Sequence, residues 1–379
     1  MTATEPERRS VSTLELFFDL VFVFAITQLT AVLSNDPSVL SVLQVLLLFG
    51  VLWWMFGGYV WLTNAVPPDR PIRKLLLLAA MVGFLVMALA IPTAFSGGGI
   101  VFGVGYLAVV LIHGRLFASA QAGSGVAGML RVAPLNLVAA LIILGAGWAS
   151  APIVYIFWAV AFGLEVVTSF VASPAGFRIE PSHFVERHGL LLIIVLGESI
   201  VAISVGAAGL PLDASLLAAG GLALVIATCL WWLYFNEDDA RAEEAMIEAS
   251  PERRMRIALN AFFYAQIPMV LGVVGFAAGV KSAIGHAFEA LPSYAALALG
   301  LGVGLYLVGD VLLRLSIGWG HAWVRSLAAV AAVATLPIGL LVSSVTQMVA
   351  LLVILLAAIL FRGDPPASSS DQRGGTIGG

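Results

Sequence analysis

Residues 186–199 read Glu186-Arg187-His188-Gly189-Leu190-Leu191-Leu192-Ile193-Ile194-Val195-Leu196-Gly197-Glu198-Ser199. A charged and polar start gives way to an apolar run, which is broken by one acid. Apolar character then resumes to residue 208. The stretch 187–208 thus has the roughly 20 apolar residues needed to cross a bilayer. Eleven further stretches qualify: 13–33, 39–62, 73–95, 100–120, 131–149, 151–172, 212–235, 257–280, 292–313, 321–342 and 345–361. Composition agrees, since 61% of the 379 residues are apolar and 11% charged, against roughly 25% charged in soluble domains. The mean hydropathy of +1.04 is too high for one soluble core to bury. The expected fold is an all-α polytopic membrane protein of about 12 transmembrane helices in one membrane domain, residues 11–362, with disordered tails at 1–10 and 363–379. The last two spans are short and divided only by Ser343 and Ser344, so a re-entrant hairpin there is the alternative.

Several function classes fall away. The net charge is −4 and no long basic run occurs, which speaks against nucleic-acid binding. The single cysteine, Cys229, forbids a disulfide framework. His183, Glu186 and His188 are metal-ligand types, but their spacing puts them on different helix faces, and no metal or cofactor is expected. Gly103-x-Gly105 copies part of a dinucleotide motif inside an apolar span with no strand before it, and is set aside. Gly99/Gly103, Gly275/Gly279 and Gly300/Gly304 read as helix-packing positions. The partners expected are the lipid bilayer, a small ion or solute, and a second copy of the chain.

Sorting basic residues by loop places 17 of the 18 on the side of the N-terminus, with Lys281 alone on the other. Positive residues collect on the cytoplasmic side, so both termini are expected there, in the cytoplasmic (inner) membrane of a bacterium. The halves 11–172 and 183–362 share features: Trp53-Trp54 with Trp231-Trp232, Tyr106 and Arg115 with Tyr306 and Arg314, and Arg131 with Arg325. Six spans per half would make a parallel repeat with its axis along the membrane normal.

Acids inside spans are costly and face a partner or a cavity. Glu15 and Asp19 lie four apart, on one helix face. Two such carboxylates repel, so either a proton is bound or a cation sits between them; the plainer reading is an interfacial pair bonded to neighbouring helix ends. Glu198 lies eleven residues beyond Arg187, roughly 16 Å along the axis and near mid-membrane. That is too far for a direct pair. The partners expected for it are Gln28, Arg115, Asn136 or Asp310, with Gly197 giving close approach and Ser199 a hydroxyl; the competing reading is a protonated structural acid. Tyr306, Asp310 and Arg314 form a stripe at i, i+4, i+8, which suggests an Asp310–Arg314 structural ion pair. Glu165 and His113 are expected to be packing residues.

The stretch from Glu15 to Leu29, with Asp19 and Gln28 inside it, and the stretch from Glu186 through Arg187 and His188 to Glu198-Ser199 resemble the two signatures of the bacterial low-temperature-requirement protein A (LtrA) family. Asn64, Asp69, Arg73 and Arg314 also fit that pattern. The resemblance runs from about Arg9 to Phe361 and implies a multi-span bacterial inner-membrane protein linked by name to growth in the cold. The first helix is also similar to that of the lysosomal potassium-channel family and its bacterial relatives, in Phe17-x-Asp19 and Ala25-Ile26-Thr27. That similarity implies a pore constriction at Ile26 and Thr27, although Thr13 stands where an arginine is expected.

The function expected is an ion-linked secondary transporter with Glu198, Asp19 and Glu15 as coupling groups and Ser199 and Gln28 beside them. A cation channel lined by the first helix, and a non-transporting sensor, assembly factor or lipid-acting enzyme, are the alternatives.

Overall fold

A computed structural model describes residues 10–119, 126–171, 179–320 and 322–361. The expected tails lie outside these residues except at Ser10. The described residues form α-helices: α1 Thr13–Asn35, α2 Val39–Ala65, α3 Pro71–Ala90, α4 Gly99–Ala118, α5 Val126–Ala146, α6 Ile153–Val171, α7 Pro181–Ala207 and α8 Ala214–Phe235. They continue as α9 Asp238–Glu248, α10 Pro251–Ile257, α11 Gln266–Ala283, α12 Ser293–Ile317, α13 Ala322–Ala334, α14 Leu336–Leu341 and α15 Ser344–Leu360.

Nine helical stretches among the described residues are long and apolar enough to cross a membrane. Three shorter apolar helices, Val132–Ala146, Ile153–Thr168 and Ser344–Leu360, fall at the fifth, sixth and last expected spans. The helix starts are written locally. Ser12 caps α1 in a reciprocal capping box with Glu15, and Asp213 and Ser343 cap α8 and α15. Proline occupies the first turn of α3, α7 and α10, where its missing N–H costs nothing.

Two features were not legible. The loop expected between residues 235 and 257 holds the short helices α9 and α10. After α10 the chain widens into a π-helix, Ala258–Tyr264, before α11 begins. The last two expected spans are joined by a turn that is pinned at its base. Ser344 Oγ lies 3.2, 2.9 and 3.0 Å from the carbonyls of Ala283, His286 and Ala287, any one of which can take its single proton, and Leu291 N donates to Gly339 O at 2.8 Å.

The surface pattern fits an apolar surround. Leu75, Leu78, Val82, Leu85 and Leu89 recur every three or four residues on α3, and all are exposed. In water such a stripe would be buried against another element; here it is the face a bilayer covers. Inside, small residues let backbones approach. A Cβ on Gly272 would stand 2.6 Å from Gly302 O, so α11 and α12 pack main chain against main chain. Gly279 meets Leu299, and Gly300 and Gly304 meet Ala332 and Ala329 of α13, in the way their spacing suggested.

Helix neighbours are organised around α1, which touches α2, α3, α7 and α11. α3 packs on α4, α4 on α5 and α5 on α6. In the second half α7 packs on α8 and α11, α11 on α12, and α12 on α13, while α15 lies against α8.

Candidate functional site

α1 and α7 lie side by side and run in the same direction. Their contacts rise together in number: Glu15 and Asp19 meet Arg187, and Thr27 meets Glu198. The separations match, since eleven residues of α7 span roughly 16 Å and the eight from Asp19 to Thr27 roughly 12 Å. At the far end Lys281 of α11 donates to Ser34 Oγ at 3.0 Å and Asn35 Oδ1 at 3.1 Å in the last turn of α1.

Of the two arrangements expected for Glu15 and Asp19, a bound proton or a cation between them, the structure has the cation, the Arg187 guanidinium. Its Nη1 lies 3.2 Å from Glu15 Oε1 and its Nη2 3.1 Å from Asp19 Oδ1, and all three side chains are essentially inaccessible. Nη1 also donates to Thr63 Oγ1 of α2. Glu15 is further bound by Ser12, whose N and Oγ donate at 3.0 and 2.7 Å, and by His183 Nε2. The tautomer follows from a chain of donors. Glu180 N–H donates to Asn64 Oδ1 at 3.1 Å, so the Asn64 amide turns its Nδ2 toward His183 Nδ1 at 3.1 Å. That ring nitrogen must accept, which leaves Nε2–H to donate to Glu15. Asp19 Oδ2 and Arg187 Nε have no hydrogen-bond partner.

Glu198 is 3% exposed. Thr27 Oγ1 donates to its Oε2 at 2.6 Å, and no ion pair to Glu198 occurs among the described residues. None of the four partners expected for it takes this position. Arg115 is exposed on α4, Asp310 is bound by Arg325 at 2.6 Å, and neither Gln28 nor Asn136 bonds to Glu198. The reason is helix adjacency: α1 lies directly on α7, and Thr27 is the residue at the depth of Glu198. Ser199 is fully buried, with its Oγ unpartnered. Ile26 is fully buried in the core.

The remaining motif residues are scattered. Asp69 and Arg73 pair at 2.8 Å, one turn apart. Asp69 lies in the loop outside the spans; its slight burial would raise its pKa, but backbone N–H donors and Arg73 outweigh that and hold it below the usual carboxylate range. Glu186 is exposed and accepts from Val11 N at 3.0 Å. His188 is buried, with Nδ1 2.8 Å from Phe184 O and its ring against Phe262.

The expected Asp310–Arg314 pair is stretched to 4.0 Å. Arg314 instead forks onto Asp238, with Nε and Nη2 2.7 and 2.8 Å from its two oxygens. Asp238 opens α9, the helix absent from the sequence reading, and this is why its role was missed. Arg325, noted only as a basic residue opening a span, closes on Asp310. Glu165 is bound by Tyr106 OH at 2.6 Å, so it joins α6 to α4. Among the described residues no group of three or more His, Cys, Asp or Glu side chains gathers as a metal site would.

Comparison with known proteins adds a family and a relative. A family model described as bacterial low temperature requirement A protein (LtrA) matches residues 10–360. An uncharacterized protein of Rhizobium meliloti (strain 1021) is 29% identical over 318 residues, which covers 79% of this chain and 76% of the relative.

Proposed function

The chain belongs to the bacterial low temperature requirement A (LtrA) family, and on that premise we propose that it is an ion-linked secondary transporter whose coupling carboxylate is Glu198. One observation carries this reading. Glu198 is an acid buried deep in an apolar helix, and its partner is a hydroxyl, not a cation. Glu15 and Asp19 are closed by Arg187, and Glu165 by the Tyr106 hydroxyl within one half of the chain, whereas Glu198 meets its hydroxyl across the two halves. An acid left with a hydroxyl is free to take up and release a proton or cation.

The surrounding architecture supports the same reading. We read twelve spans with both termini cytoplasmic in the bacterial inner membrane, arranged as two parallel repeats of six. Neighbour relations correspond between the halves: α1–α3 with α7–α11, α3–α4 with α11–α12, α4–α5 with α12–α13, and α2–α6 with α8–α15. A tyrosine also ties the corresponding helix pair in each half, though from opposite members: Tyr59 OH of α2 to Val109 O of α4 at 2.8 Å, and Tyr306 OH of α12 to Leu230 O of α8 at 2.9 Å. The Glu198–Thr27 contact then lies where the first helix of one repeat meets the first helix of the other. Transporters built from repeats bind their ions at such a boundary and rock one half against the other.

The test is a flux screen in proteoliposomes across protons, alkali cations and amino acids. A coupled carrier gives solute uptake that depends on an imposed ion gradient and is lost in Glu198→Gln. Uncoupled, potential-driven cation current that survives in Glu198→Gln would instead mark a channel.

A further inference from the structure

Thr27 Oγ1 has two acceptors within reach. It lies 2.6 Å from Glu198 Oε2 on α7 and 3.3 Å from Val23 O, one turn back on its own helix. A threonine hydroxyl carries one proton, so it serves one of the two at a time, and its oxygen accepts through lone pairs. These two contacts define two complementary arrangements. With Glu198 ionised, Thr27 O–H points at the carboxylate. With Glu198 protonated, the new carboxyl O–H donates to Thr27 Oγ1, and Thr27 turns its own hydrogen to Val23 O. Neither the Thr27 hydrogen nor the carboxyl proton lacks an acceptor in either state, which lowers the penalty that normally makes a buried acid hold one protonation state.

We propose that the ion taken up at Glu198 is the proton, and that Thr27 is the two-way hydrogen-bond partner that satisfies Glu198 in both protonation states. This rests on the reading of Glu198 as the coupling carboxylate. The step is a proton transfer alone: one proton from water binds Glu198 Oε2, the Thr27 hydrogen rotates, and no other bond changes.

The geometry favours a proton over a metal cation. Hard cations gather several oxygens whose lone pairs converge on one point. Here the carboxylate has Thr27 Oγ1 at 2.6 Å, and no group of three or more His, Cys, Asp or Glu side chains gathers among the described residues. Thr30, one turn on, has its Oγ1 3.2 Å from Ile26 O and is a second hydroxyl within reach of the carboxylate, so it too can follow the protonation of Glu198. The charged surroundings are sparse. From α11 Lys281 faces Glu198 across the outer half of the membrane, with its ammonium tied to Ser34 and Asn35. From α1 Glu15 and Asp19 lie about two to three turns away and are closed by Arg187. α8 contributes Cys229 and Tyr234, the turn after α11 contributes the exposed His286, and the charges of α9 sit by Ser182 at the opposite end of α7.

Infrared difference spectroscopy on the full-length protein in nanodiscs tests this without any transported solute. Spectra are taken from about pH 5 to about pH 9, in sodium, potassium or choline chloride. The expected result is a protonated-carboxyl band that is lost in Glu198→Gln and identical in the three salts. In Thr27→Val the band moves to higher frequency, as a carboxyl without its acceptor does, and Thr27→Ser restores it. Thr27→Val is close in shape, and its melting temperature against wild type reports on the fold. A band erased by sodium or potassium at constant pH would overturn the proton assignment. A band unmoved by Thr27→Val would overturn the role of Thr27, as would a Thr27→Ser protein that behaves like Thr27→Val. Failure of the flux screen alone leaves these spectra readable, so the two readings fail separately.

Discussion

Arg187 on α7 holds Asp19 on α1 through Nη2 at 3.1 Å, and its Nη1 holds Glu15 at 3.2 Å, with all three side chains withdrawn from solvent. One guanidinium therefore neutralises two acids four residues apart on another helix. Removing it leaves two buried carboxylates facing each other. Arg187→Leu should destabilise the protein by about 3–5 kcal/mol, the usual cost of orphaning a buried ion partner. Adding Glu15→Gln and Asp19→Asn should recover much of the loss. Melting temperature in detergent, measured on the single and triple variants, checks both parts.

The forked bond from Arg314 to Asp238 should hold α9 against the end of α12. Arg314→Ala should cost about 3 kcal/mol or more and expose residues 238–248 to added protease. Arg314→Lys keeps the charge but loses the fork, and should fall between wild type and alanine. Cleavage rate by limited proteolysis is the readout. Equal rates in all three proteins would show that the bond does not anchor α9.

Much of the architecture can be read from hydropathy, because span length and loop charge are set by the bilayer and need no partner information. Pairings are less legible. Glu15 and Asp19 were visible as acids inside a span, and the need for either a bound proton or a cation between them follows from repulsion alone. That the cation is Arg187 depends on α1 lying against α7, which no periodicity encodes. Thr27 escaped as the partner of Glu198 for the same reason: a threonine in an apolar helix costs little and signals nothing. Asp238 was hidden differently. It follows the span as part of an acidic stretch that reads as solvated loop, and only the helix beginning there turns its carboxylate toward Arg314.

The α11–α12 contact should be the least tolerant packing site. A Cβ on Gly272 meets Gly302 O at 2.6 Å, and backbone cannot move aside cheaply. Gly272→Val should therefore cost about 1–3 kcal/mol or more, seen as a lower melting temperature or loss of the monodisperse peak in gel filtration. Gly163→Ala, where an added Cβ meets nothing within 4 Å, should be neutral within experimental error.

Topology is directly testable because the chain carries one cysteine, Cys229. In a Cys229→Ala background, single cysteines at Ser368 and Ser282 should react with a membrane-impermeant thiol reagent from opposite sides. Reaction at Ser368 from outside intact cells would contradict the placement of both termini in the cytoplasm.

The most direct test of Glu198 as the coupling carboxylate is solute-driven proton movement in proteoliposomes loaded with a pH-sensitive dye, with wild type and Glu198→Gln compared at equal protein density. The expected result is internal acidification by the wild type when a transported solute is added outside. Glu198→Gln should give no signal while keeping the wild-type melting temperature. Equal acidification by the two proteins, or none from the wild type with any solute of the panel, would contradict the account.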